Sequence, residues 1–220
     1  MKKYLYTAIL LVFSAVFFVS CKETVNDDDE YANWKARNEA AFDSCLYKAK
    51  NEIAAAKAQY GDSWTEHCNW RILTSYMVPN SSVPKPADSM CVEIVESGKG
   101  SGSPLYTDSV RVNYYGRTIP TESYLDGYMF DHSGLSSKIE DIFDDSYGMP
   151  KTFYVANTVV GFTTALQKMR IGDRWKLYIP WQLAYGSQSP STKVPAYSML
   201  TFEVQLKAYY RAGYTPDPWH

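Results

Sequence analysis

After Met90 the hydrophobic pattern of this chain changes period, and that change constrains the fold more than any other feature. The segments "CVEIVESG", "SVRVNYYG", "GYMFD", "KTFYVA", "RWKLYIP" and "MLTFEVQLKAY" alternate apolar with polar residues or run apolar. Successive side chains of a strand point to opposite faces, so a period of two predicts strands with a face on a core. One stretch, "GFTTALQKM", interrupts them with helical spacing. Many strands with one short helix predict an α+β domain, an antiparallel curled sheet wrapped around that helix.

The first third of the chain reads differently. From Trp34 to Tyr60, Phe42, Cys45 with Leu46, Ala49, Ile53, Ala56 and Tyr60 recur at three- and four-residue steps. That spacing predicts a helix, closed by Gly61 and Asp62. "NWRILTSYM" fits a strand or a last helical turn. "VPNSSVPKPADS" carries its prolines at intervals that favour a semi-extended linker. The predicted organisation is a helical accessory region over 33–77, a Pro-rich linker over 78–89, the sheet domain over 90–208 and a tail over 209–220.

The extreme N-terminus is read as an export segment. "MKKYLYT" is a positive lead, and "AILLVFSAVFFV" is apolar but short for a bilayer span. It ends at "FVSC". The pattern is similar to a bacterial lipoprotein signal, with Phe18 where such signals commonly carry Leu. It implies a signal peptide over 1–20 and Cys21 as the lipidated first residue. "KETVNDDDE" then reads as a solvated acidic tether over 21–32. Acidic residues at that place resemble a tag for the outer membrane, with the periplasmic and cell-surface faces both open. An exported compartment permits disulfides. Cys45, Cys68 and Cys91 are odd in number, so at least one is unpaired. Cys45–Cys68 is the natural pair to test, and buried thiols are the alternative.

Several kinds of chemistry have no support. A formal net charge of -2 gives no basic field for nucleic acid. His67, His132 and His220 are scattered, and no CxxC or HExxH spacing offers a metal site. There is no GxSxG elbow for a serine nucleophile. "SGKGSGS" lacks phosphate-loop spacing and reads as a turn. The acids of "IEDIFDDS" have no partner at a defined separation for glycoside chemistry. The sequence therefore predicts function without metal, nucleotide, other cofactor or covalent intermediate.

Four segments in order, "VRVNYYG", "DGYMFDHS", "VVGFTTALQKMRIGDRWKLYIPWQLAYG" and "VPAYSMLTFEVQL", resemble the FKBP-type peptidyl-prolyl cis-trans isomerase domain over about residues 90–208. The resemblance implies a sheet of five to six strands curled around one short helix. It also implies an aromatic pocket that admits a prolyl ring. Tyr114, Phe130, Asp131, Phe162, Tyr185 and Phe202 match the family's working positions. Val159 or Val160 matches the residue whose backbone N–H holds the substrate carbonyl. Val194 matches the far wall, and Phe153 a further substrate-binding position. Trp175, Trp181 and Leu183 are read as support.

The departures are specific. Phe162 stands where the family commonly has Trp, and Pro190 where some members carry a loop histidine. Extra residues lie between Gly116 and Phe130 and between Asp131 and Phe153, in a region that borders the pocket in the family. Two readings follow: an isomerase acting on proline-containing peptides or unfolded exported proteins, or an FKBP-like binding or chaperone module without turnover. The resemblance also brings in macrolide ligands of the FKBP type. The 34–60 helix resembles, in position only, the dimerisation helices of some exported relatives. It implies a homodimer, or a helix folded onto its own domain.

Overall fold

The computed structural model describes residues 30–216 and residue 218. The expected signal segment over 1–20, Cys21 and the expected tether as far as residue 29 lie outside the described residues. The period-two segments form strands β2 (Ser89–Glu96), β3 (Ser109–Arg117), β4 (Met129–His132), β5 (Lys151–Tyr154), β6 (Arg174–Ile179) and β7 (Leu200–Tyr210). "NWRILTSYM" contributes one more, β1 (Trp70–Thr74). The seven strands make one antiparallel sheet in the order β1-β2-β6-β7-β3-β4, with β5 also on β3. The sheet thus has one strand more than the upper count implied by resemblance. The extra strand comes from the accessory region, so the Pro-rich stretch connects two strands of one sheet.

Alternation assigns the faces. On the front, Val110, Val112 and Tyr114 of β3 meet Leu177 and Ile179 of β6 and Phe202, Val204 and Leu206 of β7 in one buried core. The short helix α3 (Val160–Leu166) packs there through Phe162, Ala165 and Leu166. Its Gly161 permits close approach to the sheet, since a Cβ at that position would lie 2.5 Å from Ile179. Each large apolar side chain buried in this core contributes about 1.5–3 kcal/mol.

The back of the sheet is covered by the long helix α1 (Trp34–Tyr60). Its stripe of Trp34, Phe42, Leu46 and Ala49 packs with Trp70, Cys91, Ile119 and Met199. Polar ties hold its first turns. The Trp34 indole donates to Ser198 Oγ at 2.9 Å, and Arg37 donates to the Pro120 carbonyl at 3.1 Å. Asn38 is fully buried; its Oδ1 accepts the Met199 N–H at 2.7 Å while its Nδ2 donates to the Trp34 carbonyl. A buried amide satisfied at both ends fixes the helix where an apolar residue could slide.

The two insertions take an unexpected course. β4 and β5 lie on the same edge of β3, opposite residues 115–117 and 109–112 respectively. The 133–150 segment leaves that edge between them. It folds a short helix, α2 (Ile139–Phe143), whose Ile142 is buried and whose Phe143 meets Tyr115 on the back face at 5.9 Å between ring centroids. The 118–128 segment likewise supplies Ile119 and Pro120 to the back, beside α1. With α1 and the outer sides of β3, β6 and β7, the insertions line a back cavity of about 510 Å³.

Candidate functional site

A second cavity, of about 280 Å³, opens on the front. Its lining includes Tyr114, Asp131, Phe153, Val159, Phe162, Tyr185 and Phe202. Strand β3 presents Tyr114 inward beside Phe202 of β7, and the first turn of α3 places Phe162 below both. Phe162 and Phe202 meet edge to face at 4.9 Å, and Tyr114 and Phe162 at 6.2 Å. Phe153 of β5 closes one side, edge-on to Tyr114 at 6.0 Å. Such aromatic contacts add about 0.5–1.5 kcal/mol per pair beyond area burial.

Three expected residues fall elsewhere. Phe130 does not line the cavity; it packs edge-on behind Phe202, with ring centroids 5.5 Å apart, and supports it. Val194 is buried in the core under the loop that follows β6, its carbonyl accepting from Ser189 Oγ at 3.0 Å. Val160 begins α3 and packs on the core, whereas Val159, just before it, reaches the cavity. The first N–H groups of a helix have no intrahelical acceptor, so donors of this turn are available near the cavity. Trp175 is buried in the front core, and Trp181 faces α1, donating to Glu39 at 3.3 Å.

The space between Phe130 and Phe202 depends on a residue without a side chain. A Cβ on Gly116 would sit 2.6 Å from the Phe202 ring and 2.7 Å from the Phe130 ring. Both separations are below any tolerable carbon contact, so the two rings meet across bare backbone.

The polar edge is built around Asp131. Its Oδ2 accepts from the Tyr114 hydroxyl at 2.5 Å, and its Oδ1 accepts from Lys151 Nζ at 2.9 Å and from the His132 N–H at 2.9 Å. The end of β4 is held by Ser133, whose N–H donates to the Tyr114 carbonyl at 2.8 Å. Burial, reinforced by the bond to Asp131, pushes the Tyr114 hydroxyl above its ordinary value, so it remains a donor at neutral pH. Burial and then Asp131 push Tyr185 the same way. Tyr185 stays 38% exposed, at the mouth of the cavity.

Sequence reasoning missed Lys151, Asn157 and Thr158. Lys151 meets Asp131 because the edge of β3 is shared by two strands that begin and end at the same gap. Asn157 and Thr158 line the cavity in the turn before α3. Thr158 Oγ1 bonds Thr163 Oγ1 at 2.8 Å, and Thr163 in turn donates to the Val155 carbonyl at 2.9 Å, which sets that turn. No residue of the 118–128 or 133–150 insertions lines the front cavity. The expectation that they border the pocket is therefore corrected: their apolar residues Ile119 and Ile139 line the back cavity.

Residues 100–207 match the family model described as FKBP-type peptidyl-prolyl cis-trans isomerase. The matched segment contains every residue that lines the front cavity. The chain is 38% identical over 112 residues to the macrophage infectivity potentiator of Trypanosoma cruzi, covering 51% of this chain and 48% of that protein. It is 35% identical over 113 residues to the FKBP-type 22 kDa peptidyl-prolyl cis-trans isomerase of Escherichia coli strain K12, covering 51% and 46%. A third relative, outer membrane protein MIP of Legionella longbeachae, is 31% identical over 121 residues, covering 55% and 44%. The chain spans about half the length of these curated relatives.

Proposed function

We propose that this protein accelerates rotation about X–Pro peptide bonds in exported proteins. The observation that carries the proposal is the aromatic front cavity with the Tyr114–Asp131 pair and Tyr185 at its edge. The peptide bond is held planar by resonance, with a barrier of about 18–20 kcal/mol. The twisted amide has lost that resonance and carries less charge on its oxygen. A pocket walled by Tyr114, Phe162 and Phe202 solvates the twisted form better, relative to water, than the planar one. That difference lowers the barrier without a nucleophile. Tyr185 and the Val159 amide would hold the flanking carbonyls, leaving one bond free to turn. Asp131 would keep Tyr114 oriented and add a negative field at the rim. Each neutral hydrogen bond supplies on the order of 1 kcal/mol, so several act together.

We further propose that Cys21 carries lipid and anchors the chain to the outer membrane. The N-terminal pattern supports this, as does a relative named an outer membrane protein. No helix among the described residues is long and apolar enough to cross a membrane. Macrolides that enter such aromatic pockets would compete with peptide at the same cavity. A homodimer through α1 has less support, because the helix's apolar stripe already packs on its own sheet. Light scattering tests it; a monomer ends the idea.

The deciding experiment is proline-limited refolding of a model protein in the presence of the Cys21→Ser chain. Uncatalysed X–Pro isomerisation takes tens to hundreds of seconds. Clear acceleration at micromolar protein is expected. Binding of a proline-containing peptide with no acceleration would instead establish the second reading, a peptide-binding or chaperone module.

A further inference from the structure

Cys45, Cys68 and Cys91 are all free thiols in or against one buried cluster on the back of the sheet. On β2, Met90 and Val92 face the front core, so Cys91 between them faces the back, where it is fully buried. Cys45 lies at the margin of the apolar stripe of α1 and packs on the same cluster as Cys91. Both flank one ring: Cys45 lines the back cavity together with Tyr178, and Cys91 faces Tyr178 across the β2–β6 register. Tyr178, the register partner of Cys91, lies beside them. Cys68 is committed elsewhere: its sulfur accepts the Trp70 N–H at 3.4 Å. The Cys45–Cys68 pair suggested by the sequence is not joined, although Cys68 shares the same buried cluster. The face alternation of β2 selects Cys91 instead.

Access to the two thiols differs. Cys45 is half-buried and lines the 510 Å³ back cavity, whereas Cys91 has no exposed surface. A small molecule can reach the first and not the second. That is the arrangement of an attacking thiol with a resolving thiol behind it.

We infer that Cys45 and Cys91 are an oxidisable pair, closed to a disulfide between α1 and β2 by a small-molecule disulfide that enters through the back cavity. Glutathione disulfide serves as the oxidant. The Cys45 thiolate attacks one of its sulfurs, the S–S bond breaks, and one glutathione thiolate leaves. Cys91, losing its proton to solvent, attacks the Cys45 sulfur of the mixed disulfide and expels the second glutathione. Two thiols are oxidised and one disulfide is reduced to two thiols, so electrons and protons balance. The hydrogen bond to Cys91 and burial both push the Cys45 thiol above its ordinary value. Its thiolate is therefore scarce at neutral pH, and closure is slow there and faster in mild alkali. The closed form staples the helix to the sheet across the whole segment that contains β1 and the Pro-rich connection.

The test uses the full chain carrying Cys21→Ser, purified in mild detergent and incubated folded with glutathione disulfide at mildly alkaline pH. Free thiols are then alkylated, and the chain is digested with trypsin without reduction. Lys48, Arg71 and Lys99 place the three cysteines in separate peptides. The expected product joins the Cys45 and Cys91 peptides and melts about 5–10 °C above the reduced protein. Cys45→Ser abolishes both effects. The inference is overturned by a Cys68-containing crosslink, by a lasting glutathione adduct on Cys45, by alkylation of all three thiols, or by a crosslink that forms only in denaturant.

Discussion

Tyr114 and Tyr115 are neighbours in β3, point to opposite faces of the sheet, and each donates its hydroxyl to a carboxylate. On the front, Tyr114 donates to Asp131 at 2.5 Å; on the back, Tyr115 donates to Glu203 at 2.7 Å. Burial leads in raising both hydroxyls above their ordinary value, with the carboxylate adding to it. The difference lies in the acid. The Glu203 side chain is 5% exposed and is held by Arg174, whose Nε donates at 2.6 Å, while Phe143 of α2 covers the guanidinium at 4.0 Å. The Asp131 side chain is 47% exposed, and its cation, Lys151, is equally open. The same pair of groups is a sealed strut on one side and a reachable edge of a cavity on the other. Burial of the carboxylate, more than its identity, separates structure from chemistry here.

The largest effect that could break this contrast is Glu203→Ala. Removing the buried carboxylate leaves the Tyr115 hydroxyl without its acceptor and Arg174 with only the exposed Glu96, and should lower unfolding free energy by about 3 kcal/mol in urea titration. Refolding catalysis per folded molecule should stay unchanged. Asp131→Ala should reverse the pattern. Loss of its hydrogen bonds at the cavity should lower kcat/KM roughly tenfold, on the scale of about 1.4 kcal/mol. Stability should move by less than about 1 kcal/mol, because the pair is open to water. If Asp131→Ala unfolds the chain while Glu203→Ala silences catalysis, the assignment of the two faces is wrong.

Tyr114→Phe removes one bond and keeps the ring, so a fall of about fivefold in kcat/KM is expected, near 1 kcal/mol. Alkaline titration sharpens the same point. Tyr114, Tyr115 and Tyr178 have hydroxyls raised above their ordinary value of 10.0. A raised group is held protonated by the fold. Its contribution is fully present below pH 10 and is lost as pH climbs past that value. Melting should therefore change little with these groups between pH 7 and 9 and fall above pH 10, with a gentler fall in Tyr115→Phe. Lys151→Met should give the smallest change. An exposed pair of this kind is worth under about 1 kcal/mol, and added salt should erase the difference in catalysis between the two proteins.

Much of the cavity was legible through the resemblance of its segments to the FKBP-type domain, which implied Tyr114, Phe162, Tyr185 and Phe202. Strand parity agrees with it, placing Tyr114 and Phe202 on one face, and Phe162 lies on the short helix packed against that face. Parity shows that a strand has two faces, yet it does not say which face an insertion will cover. That choice depends on Ile119 and Phe143 packing against the back, contacts made away from the cavity. Lys151 escaped notice for a related reason. It reaches Asp131 only because β4 and β5 share one edge of β3. Val194 and Phe130 have residue types that suit a cavity wall, but tertiary packing places one in the core and the other behind Phe202. Cys91 was legible as a strand residue; its neighbour Cys45 became visible only once α1 was laid across the back.

Gly116 has a consequence for how this protein can vary. Every substitution at that codon adds at least one carbon where two phenyl rings leave no room. A tightly constrained position beside the cavity is therefore one without a side chain, which would be overlooked in any survey of wall side chains. A library that randomises the walls while holding position 116 would explore new cavity shapes on an intact frame. A library that varies position 116 would mostly displace Phe130 or Phe202, changing the frame itself.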